Sequence, residues 1–363
     1  MTDGKQGADN MSSYSEQRQI HLTKVLREVI SELPPYTFDF FRGLEHTTSM
    51  NTRLAYAYDL RVFFDYLHKE NESFSRLESF KEITLKQLEA LSPRDIEKYL
   101  EYLSYYEKKD DEDETISHQN GQKGKARKLA ALKTFYHYFY KQQLITFNPT
   151  ALVDMPKINE KPIVKLEVDE VARLLDIVEE GTELTEKQQR YHVYTKKRDL
   201  ALISLLLGTG IRVSECVGLN MEDVDFNYNG IRITRKGGNE TIIYFGQEVE
   251  GALRDYMQER KEKVCKDGDT PLFLSLQNKR LSVRSVQILV KKYSSLVTQL
   301  KTITPHKLRS TYGTQLYQET GDIYLVADVL GHKDVNTTKK HYAQMDDARR
   351  RMAASIVKLR DIE

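Results

Sequence analysis

The chain contains no tryptophan, only two cysteines, and no long apolar run. Cys216 and Cys265 supply neither a disulfide framework nor a zinc-ligand spacing, the pattern of a chain that works in a reducing cytoplasm. Nothing approaches the roughly 18 consecutive apolar residues that a membrane-spanning helix needs. The opening MTDGKQGADNMSSYSEQ has no apolar stretch of the signal-peptide type. These absences argue against a disulfide scaffold, a zinc module and a membrane protein, and leave a cytoplasmic protein as the expectation. The missing tryptophan carries no functional information.

What is present is charge, unevenly placed. The net charge is only +1, yet residues 271–318 carry Lys279, Arg280, Arg284, Lys291, Lys292, Lys301, Lys307 and Arg309 without one Asp or Glu. Residues 121–145 carry Lys123, Lys125, Arg127, Lys128, Lys133 and Lys141, again with no carboxylate. The balancing acid sits elsewhere, as in DDEDE at 110–114. One such block reads equally well as a solvated helix face. Two of them, about 150 residues apart, point to two surfaces for a polyanion, one in each half of the chain. Lys123, Lys125, Arg127, Lys128, Lys279, Arg280, Arg284, Lys291 and Lys292 are the candidate nucleic-acid contacts.

A chain of 363 residues exceeds one ordinary core, so two domains are expected. Residues 1–17 are polar and expected to be flexible. In NTRLAYAYDLRVFFDYLHKE, Leu54, Ala57, Leu60, Phe64 and Leu67 recur at helical spacing, with Asn51 as the expected cap. SPRDIEKYLEYLSYY begins with Ser92 as cap and Pro93 at the first helical position. GKARKLAALKTFYHYFYKQQ gives a further helix, basic at its start, that stops before Asn148-Pro149. Residues 18–153 therefore read as a small all-helical domain.

Pro156 and Pro162 mark an extended linker over 154–163. Beyond it, DEVARLLDIVEE and KRDLALISLLLGTG are helical, the latter halting at Gly208 and Gly210. GIRITRKGGNETIIYFG switches to a β period around a Lys-Gly-Gly-Asn turn, the pattern of a hairpin. Helical spacing then resumes. The expected fold class is mainly α in two domains, the second (164–345) mixed α/β, mostly helical with a small antiparallel sheet. A tail helix over 346–363 completes it.

Four stretches of the second domain hold reactive residues that packing alone does not explain. GTGIRVSECVGL places Arg212 after two glycines and before the expected helix cap Ser214. A guanidinium fork beside a helix start suits phosphate oxygens; pairing with Glu215 is the structural alternative. The hairpin turn offers Lys236 next to Gly237 and Gly238. TPHKLRSTYGTQLY puts His306 and Arg309 at i and i+3, on one face of a helix. LGHKDVNTTKKHYAQ sets His332 after a glycine and ten residues before Tyr342.

Gly-x-Arg-x-x-Glu, a lysine in a β-hairpin, His-x-x-Arg, Leu-Gly-His and a tyrosine ten residues on, in that order, resemble the tyrosine recombinase (phage integrase) family. Arg212, Lys236, His306, Arg309, His332 and Tyr342 fill every signature position. The resemblance runs from about residue 35 onward. The chain length, HKLRSTYGTQLY and GHKDVNTTKKHYAQ are most similar to the Xer group, in particular the single-protein XerS type of streptococci and lactococci. One departure stands out. Many relatives carry a histidine two residues after the tyrosine, whereas here the order is His341-Tyr342-Ala343-Gln344, and His341 is left outside the site.

The resemblance implies a SAM-like helical core-binding domain ahead of a catalytic domain, and cleavage of DNA through a 3′-phosphotyrosyl intermediate. Tyr342 would be the nucleophile, Arg212 and Arg309 the clamp on the non-bridging oxygens, and His306 the base. Lys236 would be the acid for the departing 5′ oxygen, and His332 a ligand of the phosphate or the tyrosine. Glu215 would support Arg212. No metal or other cofactor is expected, because two guanidiniums and two imidazoles supply the charge. The implied partners are double-stranded DNA and three further copies in a homotetramer on synapsed DNA. The resemblance also implies exchange of the tail between protomers and control of the reaction by a cell-division DNA translocase. The implied task is resolution of chromosome dimers at a dif-like site. A phage or transposon integrase, or a non-cleaving DNA-binding regulator of the same fold, are the alternatives.

Overall fold

The computed structural model describes residues 14–109, 114–159, 163–235, 238–265, 270–332 and 335. The chain divides into two units, Met1–Glu160 and Lys161–Glu363. Residues 154–159 and 163–167 carry no regular secondary structure.

The first unit is built from α1 (Tyr14–Ser31), α2 (Thr37–Gly43), α3 (Met50–Glu70), α4 (Leu85–Glu89), α5 (Pro93–Tyr102) and α6 (Gln122–Lys141). Helix α1 takes up residues 14–17, which composition alone assigned to a flexible start. Helix α3 is capped by Ser49, which accepts from the Thr52 amide, rather than by Asn51; two small polar residues compete there and the hydroxyl two places earlier wins. Ser92 caps α5 with Pro93 in its first turn, as the sequence predicts, and the Asp95 carboxylate completes a reciprocal capping box. One element breaks the all-helical expectation. Strands β1 (Tyr106–Lys109) and β2 (Thr115–His118) pair antiparallel between α5 and α6, with Tyr106 opposite His118. The core is aromatic: Phe40, Phe63, Phe64, Phe135 and Phe139 are buried, and Phe40 meets Phe135 edge-on at 5.1 Å between centroids. Such a pair adds about 0.5–1.5 kcal/mol to what burial alone supplies.

The second unit runs α7 (Val168–Glu180), α8 (Glu186–Thr209), α9 (Val213–Gly218), strands β3 (Val224–Asp225), β4 (Gly230–Thr234) and β5 (Glu240–Tyr244), then α10 (Gln247–Arg260), α11 (Val283–Val297), α12 (Pro305–Thr320) and α13 (Ile323–Leu330). The strands form one antiparallel sheet in the order β3-β4-β5, in which Ile231 faces Ile243. The mainly helical, two-domain fold class with small antiparallel sheets is therefore as the sequence predicts. Helix α8 is apolar all round in its second half, with Ala201, Leu202, Ile203, Leu205 and Leu206 fully buried. A helix of that kind must be wrapped on every side, and α7, α10 and α12 pack on it. A carboxylate inside this core, Asp199, accepts from Thr195 Oγ1 at 3.1 Å, Tyr293 Oη at 2.9 Å and the Arg198 guanidinium, so its charge is matched. These bonds pin α11 to α8. A smaller apolar cluster of Val326 and Leu330 with Tyr312 and Leu316 seats α13 on α12.

Candidate active site

Helix α13 opens on Asp322, whose carboxylate accepts from the Tyr324 and Leu325 amides. It closes in a Schellman turn: the Gly331 amide donates to Asp328 O at 2.8 Å and the His332 amide to Ala327 O at 2.9 Å. A helix leaves its last four carbonyls open, so those of Val329 and Leu330 remain, followed by that of Gly331. Arginines from three separate elements take them. Arg235, directly after β4, donates Nη2 to Val329 O at 2.7 Å and Nη1 to Leu330 O at 2.8 Å. Arg309 of α12 donates Nη2 to the same Leu330 carbonyl and Nη1 to Gly210 O at 2.5 Å. Arg212 donates Nη2 to Gly331 O at 3.2 Å.

The local sequence explains how these side chains come together. Gly210 ends α8 at φ +62°, and a Cβ there would lie 2.4 Å from the Tyr312 ring and 2.9 Å from Leu330 Cδ2. Glycine thus lets the end of α8 approach α12 and α13. Two residues later Arg212 is the N-cap of α9. The expected cap, Ser214, lies inside the first turn. Its place is taken by the Glu215 carboxylate, which accepts from the Arg212 amide and from Arg212 Nη1, both at 2.8 Å. Glu215 is buried while the Arg212 side chain keeps 36 % of its surface exposed, leaving it able to meet a ligand.

The three guanidiniums concentrate positive charge at this end of α13, where the open carbonyls of the helix carry a partial negative charge of about half a unit, Glu215 bonds Arg212 and Asp328 acts on Arg235. Burial lowers the pKa of Arg235 below the usual arginine value; Glu215 and Asp328 oppose that shift and Arg212 adds to it.

Of the residues singled out from sequence, the structure gathers Arg212 and Arg309 at the α13 end, and His332 is the next residue after the carbonyl that Arg212 holds. His332 is half-buried. His306 and Arg309 both belong to the start of α12, but they differ in depth: His306 is exposed and Arg309 retains 4 % exposure. Lys236 and Tyr342 lie outside the described residues, as do His341 and the tail 346–363. Arg235 was not anticipated. No signal in the sequence marks it, since its carbonyl partners are 94 and 95 residues away.

The basic blocks divide into two groups. Lys123, Arg127, Lys279, Arg284 and Lys291 are exposed. Lys125 reaches Ser104 Oγ at 2.7 Å. Lys128 is buried and bonds Asp59 at 3.0 Å; Arg280 bonds the carbonyls of Val217 and Leu219 at 3.0 Å and Asn220 Oδ1 at 2.5 Å. Lys292 lies 3.8 Å above the Tyr293 ring and 3.9 Å from Asp199.

The sequence pattern of the phage integrase family matches residues 165–349. Over 312 residues the chain is 33% identical to the tyrosine recombinase XerC of Caldanaerobacter subterraneus subsp. tengcongensis, covering 85% of this chain and 81% of that protein. Over 266 residues it is 32% identical to the tyrosine recombinase XerD of Staphylococcus epidermidis, covering 68% and 84%. The XerH site-specific recombinase bound to its difH substrate shares the fold, with a TM-score of 0.61 at 20% identity over 97% of this chain and 99% of that one. The chain belongs to the phage integrase family and is a tyrosine recombinase.

Proposed function

We propose that this recombinase acts in the cytoplasm on one chromosomal site and resolves chromosome dimers at cell division, as a Xer enzyme of the single-protein XerS type. The observation that carries the reading is the meeting of Arg212 and Arg309 at the end of α13 beside His332, with Glu215 bonded to Arg212. A phosphodiester undergoing substitution gathers negative charge on its non-bridging oxygens, and fixed guanidiniums in a partly buried site stabilise that charge. Similarity to XerC along most of the chain supports the subgroup.

In this reading Tyr342 Oη attacks phosphorus and gives its proton to His306. A phenol has a reference pKa of about 10, so it needs such a base. The P–O5′ bond breaks as the P–Oη bond forms, and Lys236 protonates the departing O5′. The products are a 3′-phosphotyrosyl link and a 5′-hydroxyl. Reversal of the same steps rejoins the strand with no nucleotide cofactor, because the link conserves the phosphodiester. His332 bonds the phosphate, and Glu215 holds Arg212 in place. Lys123, Arg127, Lys279, Arg284 and Lys291 are the contacts to the DNA backbone, whereas Lys128, Arg280 and Lys292 serve the fold. Four copies act on two duplexes, the 346–363 tail docks on a neighbour, and a cell-division DNA translocase triggers the reaction.

The test has two parts. Mapping the duplex protected by the protein in the host chromosome should return one site near the replication terminus; sites at the ends of a mobile element would make the chain an integrase instead. A suicide duplex carrying the mapped site, nicked beside the scissile phosphate, should trap a covalent adduct with the wild type. Equal trapping by Tyr342→Phe would overturn the chemistry, and no adduct from wild type would leave a DNA-binding regulator.

A further inference from the structure

The geometry points to Arg235 as a positioning residue that holds the turn after β4 against the end of α13, and so sets the acid of the reaction relative to the phosphate clamp. Its backbone belongs to the hairpin. The Arg235 amide donates to Asn239 O at 2.8 Å, and the Gly238 amide donates to Arg235 O at 3.0 Å, so Arg235 closes the turn in which Lys236 is the next residue. Its side chain belongs to the other structure: the two Nη atoms bond Val329 O and Leu330 O, the carbonyls just before Gly331 and His332. The guanidinium also lies over Gly331, where a Cβ would come within 2.5 Å of Nη1 and 2.6 Å of Cζ. Leu330 O is shared with Arg309, so one carbonyl links the hairpin to the buried arginine of the clamp.

A two-pronged bond from a planar fork fixes direction as well as distance, which a lysine ammonium cannot do. Misplacing a proton donor by about 1 Å can cost about 10²-fold in rate. Arg235 touches neither the substrate nor the reacting atoms in this account; it acts through Lys236. The inference rests on the reading of Lys236 as the acid for the O5′ leaving group.

The experiment compares cleavage of two suicide duplexes carrying the mapped site, one with the ordinary scissile oxygen and one with a 5′-bridging phosphorothiolate. Sulfur leaves without a proton donor. Lys236→Ala should lose about 10²-fold or more on oxygen, the usual contribution of general acid catalysis, and little on sulfur. Arg235→Ala should follow the same split with unchanged DNA affinity, and Arg235→Lys should fall between it and wild type. Failure of sulfur to rescue Lys236→Ala removes the underlying reading. Rescue of Lys236→Ala but equal loss of Arg235→Ala on both duplexes overturns the inference, as does full activity of Arg235→Ala on oxygen. If Arg235→Ala melts below the assay temperature, Arg235→Lys is judged by the same criterion.

Discussion

Two clusters of charge, one in each unit, use the same side-chain chemistry toward opposite ends. In the first unit Asp59 is buried between α3 and α6 and accepts from Arg127 at 2.5 Å and Lys128 at 3.0 Å. A carboxylate sits at the centre, and the lysine is sealed with it. In the second unit Arg212, Arg235 and Arg309 surround the neutral carbonyls of a helix end; Glu215 bonds Arg212, and the Asp328 charge acts on Arg235. In the first cluster a buried carboxylate holds the cations and matches the buried lysine. In the second, backbone carbonyls hold the guanidiniums, and the Arg212 side chain remains partly open. Counting basic residues cannot distinguish these cases; following each cation to its acceptor does.

The largest expected effect breaks the first cluster. Asp59→Leu leaves Lys128 buried without a counter-charge, which costs about 3–5 kcal/mol in urea unfolding. The double variant Asp59→Leu with Lys128→Met should recover most of that loss; a neutral single variant would show that the cluster does not hold the fold.

Next is the second cluster. Arg309→Ala should lower adduct formation on the suicide duplex about 10²–10³-fold, the usual effect of removing one donor to a developing anion. Near-normal cleavage would reduce this cluster to a fold device like the first. The smallest effect separates the two cations on Asp59. The Arg127 side chain is half exposed, so Arg127→Ala should change stability by less than about 1 kcal/mol while flattening the salt dependence of DNA binding. A stability loss as large as that of Asp59→Leu would merge its role with that of Lys128.

Much of the fold was legible because its signals are local. Ser92-Pro93 with Asp95 caps a helix, and Lys-Gly-Gly-Asn between β-rich runs turns a hairpin, whatever the rest of the chain does. The β1–β2 hairpin was not legible. YEKK and TISH are short, and DDEDE between them offers no glycine or asparagine to announce a turn. The family resemblance singled out Arg212 and Arg309 by order and spacing. Lys128, Arg280 and Lys292 looked like DNA contacts because they lie in carboxylate-free blocks, yet their acceptors are 60 to 93 residues away in sequence: Asp59 for Lys128, Asn220 for Arg280, Asp199 for Lys292. Arg235 was missed for the same reason. A cation whose partner is a backbone carbonyl leaves no complementary residue type to search for.

The turn at Gly331 links two positions of the sequence. At φ +61° a side chain is strained there in any case, and Arg235 covers the face where one would project. A side chain at 331 would add a clash with the Arg235 guanidinium to the backbone strain, so arginine at 235 and glycine at 331 favour each other.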